Sequence, residues 1–240
     1  MKIIEPIIAY KADRVYLLHM AQEGVYRKFL KEVMQQLDDQ KIQCIPIEEK
    51  ILEFEPVMKT MVNILHKERF ENNHVYVNIS AGTRIFSTAA LIACMMEGGH
   101  PFDVRTDEFM IKKEAYFEGK KPIGISKSVY DPVSIPPFTI HPPNKELLLA
   151  LRCWNEVAQN KGHVNQIKVI IALGKQNLIE IKYEKTYGGN PRISGITQMQ
   201  FRRRFLDKWV MQGWMEKENR GRYQISSMGN QLLTIYGDII

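Results

Sequence analysis

The stretch His74-Val-Tyr-Val-Asn-Ile-Ser-Ala-Gly-Thr-Arg84 decides the fold. Val75, Val77 and Ile79 alternate with Tyr76 and Asn78, an apolar, β-branched run suited to a buried strand. The pattern stops at Ser80, and residues 85–96 read as a helix with a largely apolar surface. A strand feeding a helix through a small-residue turn is where open α/β sheets bind ligands. Gly82 can take positive φ, and the helix N-terminus adds partial positive charge. Ser80 and Thr83 bring hydroxyls, Ala81 adds little bulk, and Arg84 brings a forked cation. All of these suit a phosphate. The turn matches neither the P-loop nor the Gly-x-Gly-x-x-Gly pattern, and small residues also serve to pack a helix close to its strand.

Working outward, residues 3–10 read as a short helix and residues 13–18 as a compact strand. Residues 19–23, opening on His19, are the loop at that strand's carboxyl end. Residues 24–37 have helical spacing, and residues 41–47 form a second strand stopped by Pro46 and the acids after it. Residues 54–70 are an amphipathic helix with Val57, Met58, Met61, Ile64 and Leu65 on its apolar side. Residues 102–105, 109–111 and 114–117 are short enough for edge strands or hairpin pieces. Strands alternating with helices at this spacing predict an α/β fold with a Rossmann-like, mostly parallel sheet covered on both faces.

Six of the 11 prolines fall between residues 119 and 143, at 122, 132, 136, 137, 142 and 143. Proline neither continues a helix nor favours one just before it. This stretch therefore reads as an extended connector with a boundary near Ile140, giving domains at 1–120 and 143–240 joined by a linker at 121–142.

Past the connector, residues 144–159 and 164–173 read as helices, residues 177–187 are ambiguous and residues 188–191 form a loop. Thr197 is expected to cap a helix running to about Met211. On that helix Phe201, Phe205 and Trp209 form one buried stripe, leaving Gln198, Gln200, Arg202, Arg203, Arg204 and Lys208 mostly on other faces. Gly213 ends it, residues 214–217 and 222–225 pair as a hairpin turning at 218–221, and Ser226 caps a last helix to about Tyr236.

Hydrophobic content of 45% and charged content of 25% are ordinary for a soluble globular chain. No apolar run is long enough to cross a bilayer, and the first residues lack a signal-peptide core. Cys44, Cys94 and Cys153 are isolated from one another, as expected of buried thiols in a reducing cytoplasm rather than of metal ligands. The charge is uneven. Residues 1–141 hold 18 Lys and Arg against 19 Asp and Glu, a net of −1; residues 142–240 hold 15 against 8, a net of +7. A neutral domain joined to one that meets a polyanion gives this distribution.

Two helices, a helix with three consecutive arginines and a hairpin with a basic tip are ordered as in a winged helix. Gln198, Gln200 and Arg202 are chemically able to read base edges. Arg203, Arg204, Lys208, Arg220 and Arg222 are expected on phosphates of double-stranded DNA. A solvated basic helix in a protein-binding module is the plainer alternative.

With both halves in view, the chain resembles archaeal regulators that join a CARF domain (CRISPR-associated Rossmann fold) to a winged helix-turn-helix domain. The likeness runs through Tyr10-Lys-Ala-Asp-Arg-Val-Tyr-Leu-Leu18, Val77-Asn-Ile-Ser-Ala-Gly-Thr-Arg84, Phe201-Arg-Arg-Arg-Phe205 and Gly213-Trp214. It implies a homodimer that binds a cyclic oligoadenylate on its two-fold axis, with Ser80, Gly82, Thr83 and Arg84 as the ligand loop. That family opens with an extra strand and ligand loop, and Met1 here falls where its first helix begins. The resemblance thus implies either an upstream start or a ligand site lacking that loop. The ligand is an effector; no cofactor is expected. Paired phosphate loops and paired winged helices both suit two-fold symmetry.

Two other functions compete. A ring nuclease would use Thr83, Ser80, Arg84 or His19 to position a ribose hydroxyl, but no paired carboxylates, Ser-His-Asp order or metal cluster supports a catalytic assignment. In the other, the Rossmann-like domain only dimerises.

Overall fold

The computed structural model describes residues 3–20, 25–104, 117–118, 121–122, 132–136, 138, 140–159, 164–185, 191–218 and 221–239. The chain divides into two compact units, residues 1–141 and 142–240.

In the first unit, α1 (Ile4–Ala9), β1 (Arg14–His19), α2 (Val25–Asp39), β2 (Gln43–Glu48), α3 (Phe54–Phe70), β3 (Tyr76–Asn78), α4 (Arg84–Glu97) and β4 (His100–Asp103) follow in order. β1 and β2 pair in parallel, as do β3 and β4. Pro46 does not stop β2: it lies opposite Leu17 in the register, and the strand runs on to Glu48. With β2 paired to β1 alone among the described strands, the amide that proline lacks is no loss on the outer side. The expected continuous sheet is divided, because no ladder joins β1 to β3 among the described residues.

Helices cover both faces of β1. Val15 and Leu17 pack with Ile4, Val33 and Leu37 of α1 and α2. Arg14 and Tyr16 turn the other way and bond Glu68 of α3. On α3, Val57, Met58, Met61, Val62 and Leu65 are buried; on α4 so are Ala89, Ala90, Ala93 and Cys94. The small residues of α4 let the two helices pack closely. Within the proline-rich stretch, β7 (Val133–Ser134) pairs antiparallel with β4, so this part of the expected connector completes a three-stranded sheet. β5 (Phe117–Glu118) and β6 (Lys121–Pro122) form a short hairpin. The strand expected over 109–111 lies outside the described residues.

The second unit holds α5 (Lys145–Gln159), α6 (Gln166–Lys175), a ribbon of β8 (Tyr183–Glu184) and β9 (Arg192–Ile193), and α7 (Gly195–Phe201). A π-helical turn over Arg202–Leu206 joins α7 to α8 (Asp207–Met211). The hairpin β10 (Met215–Lys217) and β11 (Tyr223–Ile225) and the helix α9 (Ser227–Tyr236) follow. Trp154, Phe201, Phe205 and Trp209 form the aromatic core, and the Trp209 indole donates to the Leu147 carbonyl at 3.1 Å.

Thr197 is not the cap of α7. Ser194 is: its hydroxyl accepts from the Thr197 amide. Thr197 instead lies buried in the first turn, its hydroxyl accepting from the Lys182 amide. Ser226 caps α9 as the sequence predicts, accepting from the Gly229 amide. Between α6 and α7 the chain spends residues 176–194, ribbon included, where a helix-turn-helix uses a turn of about three or four residues.

Candidate functional site

The turn after β3 is built from the backbone outward. The Ile79 amide donates to the Phe102 carbonyl and carries the pairing with β4 one residue past β3. Asn78 Oδ1 then accepts from both the Ser80 amide (3.0 Å) and the Ser80 hydroxyl (2.6 Å), a turn closed by a side chain. Gly82 sits at φ +131°, exposed, and a Cβ there would lie 3.0 Å from the Phe86 ring. Thr83 caps α4, accepting from the Phe86 amide at 3.1 Å and donating to the Ile51 carbonyl at 3.0 Å. Ser87 Oγ donates to the Ile79 and Thr83 carbonyls and ties helix to strand.

The turn therefore commits both hydroxyls, that of Ser80 to Asn78 and that of Thr83 to the helix cap and the Ile51 carbonyl. What it leaves outward is the backbone at Gly82 and the Arg84 guanidinium; Arg84 is exposed and makes no ion pair among the described residues. Ala81, just before Gly82, is half-buried. The Thr83 hydroxyl has its proton committed to the Ile51 carbonyl and one lone pair to the Phe86 amide.

His19 ends β1 at the same, carboxyl, end of the strands. Its ring Nδ1 lies 3.1 Å from the Met20 carbonyl, and its own carbonyl accepts from the Glu49 amide. The Thr83–Ile51 bond brings the turn against the segment that follows β2, which carries Glu49, Lys50 and Glu53. Lys50 pairs with Glu53 at 3.5 Å, so Arg84 is the cation this end of the unit leaves open among those residues.

At the opposite end of the unit two buried carboxylates take contrary states. Burial alone would raise Glu68, yet hydrogen bonds from Tyr16, Asn73 and Arg14 hold it below the ordinary carboxyl value. Burial raises Glu97, and His66 and Arg69 only partly offset it. Burial also pushes the Cys94 thiol up to about 12, which leaves it inert. No group of three His, Cys, Asp or Glu among the described residues could hold a metal ion. No described helix is long and apolar enough to cross a membrane.

In the second unit the predicted cations are exposed but not equally free. Arg202 Nε lies 3.3 Å from Asp207 Oδ1, and Arg204 Nη2 pairs with Glu146 Oε1 of α5. Arg203 and Lys208 are exposed with no ion pair among the described residues. Together with Gln200, Arg204, Ile179 and Glu180 they line a cleft of about 430 Å³. Gln198 is half-buried and its amide donates to the Ile193 carbonyl at 3.0 Å, so it braces β9 rather than standing free to read a base. Arg222 is exposed at the foot of β11, its carbonyl accepting from the Glu218 amide. Arg220 lies outside the described residues. The sequence reading missed Glu146 and Asp207. Asp207 was detectable by proximity on the same helix; Glu146, on another helix, was not.

Residues 1–109 match the family model described as HFX_2341_N:-like, N-terminal. No curated protein matches the sequence. Among solved structures, Can2 from Sulfobacillus thermosulfidooxidans in complex with cyclic tetra-adenylate is similar over 97% of this chain and 59% of its own, at 14% identity and a TM-score of 0.37. Protein VC1899 from Vibrio cholerae is similar over 97% of this chain and 60% of its own, at 11% identity and a TM-score of 0.39. The chain thus spans about three-fifths of the length of each. At these TM-scores neither fixes the arrangement of this one.

Proposed function

We propose that this chain is a ligand-responsive, DNA-binding regulator. Its N-terminal unit, CARF-like by sequence resemblance, takes a cyclic oligoadenylate at residues 80–84, and its C-terminal unit binds duplex DNA. The observation that carries the reading is the separation of charge: the unit with the phosphate-suited turn is nearly neutral, while the unit with the arginine helix and hairpin carries a net +7.

On this reading the ligand's phosphates meet Gly82's backbone, the start of α4 and Arg84, and the Ser80 and Thr83 hydroxyls shape the turn rather than touch the ligand. Duplex DNA meets the exposed face of α7 and α8, with Gln200 toward base edges. A symmetric ring of phosphates calls for two copies of the turn, so the functional species is a homodimer. Ligand occupancy alters DNA affinity, and by linkage DNA alters ligand affinity by the same factor.

The test is a gel shift of duplex DNA from beside the protein's own gene, with and without cyclic tetra-adenylate. The expected result is a shift whose midpoint moves with the ligand for the wild type and not for Arg84→Gln. No shift in either lane overturns the reading. A shift that ignores every cyclic oligonucleotide leaves a regulator whose N-terminal unit does not sense this class.

A further inference from the structure

Three consecutive arginines suggest three free cations; the structure shows a different arrangement. The π-helical turn closes with the Asp207 amide donating to the Arg202 carbonyl, five residues back. That wider turn brings residues i and i+5 toward one side of the helix, where an α-helix would set them about 140° apart. Arg202 and Asp207 therefore meet as an ion pair at 3.3 Å. Arg204 is engaged from outside its helix by Glu146, in the first turn of α5, where the helix dipole favours a carboxylate. The Arg204 guanidinium also lies 5.4 Å from the Phe205 ring centroid, a second contact that holds it in place.

A phosphate approaching Arg202 or Arg204 meets a carboxylate already in position. Arg203 and Lys208 make no ion pair among the described residues; with Gln200 and Arg204 they line the cleft beside Ile179 and Glu180, and the Glu180 carboxylate pairs with neither. Both side chains are long, flexible donors suited to phosphodiester oxygens.

We propose that Asp207 and Glu146 mask Arg202 and Arg204 from the DNA backbone, so that Arg203 and Lys208, in the cleft beside Ile179 and Glu180, make this helix's phosphate contacts. The inference rests on the duplex-binding reading above and names its contacts. Glu146 becomes a positioning residue that sets how many phosphates the helix engages.

The experiment measures duplex affinity of the full chain against salt concentration, because each phosphate contact contributes about 0.9 to the slope of log K against log salt. Arg203→Gln and Lys208→Gln are each expected to flatten the slope by about 0.9, whereas Arg202→Gln and Arg204→Gln change it by less than half as much. Glu146→Gln frees Arg204 and is expected to tighten binding and steepen the slope. All five side chains are exposed or partly exposed, so unchanged melting curves serve as the folding control. Equal flattening by all four cation variants, or a Glu146→Gln slope no steeper than the wild type's, overturns the masking. Failure of the wild type to bind duplex overturns the regulator reading itself and takes this inference with it.

Discussion

The turn at residues 80–84 and the helix at residues 195–211 are built from polar and cationic residues of similar chemistry, and they use them in opposite ways. In the turn, hydroxyls do the structural work: Ser80 closes on Asn78, Thr83 caps α4 and reaches Ile51, and Ser87 ties helix to strand. In the helix, apolar rings do it: Phe201, Phe205 and Trp209 are all but fully buried, and the charged side chains stay outside. A turn has too few side chains to anchor itself by burial, so its polar groups hold it and what remains for a ligand is backbone and one guanidinium. A helix with an apolar stripe is anchored by burial, and its polar faces remain available except where a neighbouring carboxylate occupies them.

The largest effect should break the helix side of this comparison. Trp209→Ala removes a side chain with no exposure and the indole bond to the Leu147 carbonyl, a loss of about 3–5 kcal/mol. All three tryptophans, at 154, 209 and 214, lie in the second unit, so urea unfolding followed by fluorescence of the remaining two reports that unit. A loss under about 1 kcal/mol would show that the stripe is not the anchor.

Next comes acid sensitivity in the first unit. Glu68 is held below its ordinary value of 4.5, so the folded state binds its proton less readily than the unfolded chain. Its contribution is complete above that pH and drains as pH falls through the folded value. Glu68→Gln should therefore be less stable near neutrality and flatter toward acid in circular-dichroism melts. Glu97 has the opposite sign: burial favours its neutral form, stability falls as pH rises from 4.5 toward the raised value, and Glu97→Gln should remove that fall. Parallel pH profiles for both variants would contradict the opposed environments.

The turn side is the smaller target. Thr83→Ala removes the cap of α4 and should cost about 1 kcal/mol by chemical denaturation. A loss within about 0.3 kcal/mol would show that water replaces the hydroxyl and that the turn is not self-anchored.

Much of this was legible along the chain because the governing forces are local. The periodicity of α3 placed its buried face, the alternation at residues 75–79 placed a strand beside a turn, and the exposed face of α7 and α8 followed from the spacing of three rings. Where the reading failed, a distant residue or an unusual turn decided. Ser194 took the cap from Thr197 because the Thr197 hydroxyl serves the Lys182 amide, fifteen residues upstream. Proline did not end β2, since only its outer side lacked a partner.

By itself, the sequence determined which segments bury which faces and where the charge accumulates, since both depend on composition and spacing within a few residues. Only the tertiary structure decided which polar groups remain free. The Ser80 hydroxyl is taken close by, but that of Thr83 reaches a carbonyl in the loop between β2 and α3, and Arg204 meets an acid from another helix. A hydrogen bond or ion pair depends on distances of about 3–4 Å, and for groups on separate elements only folding brings them that close.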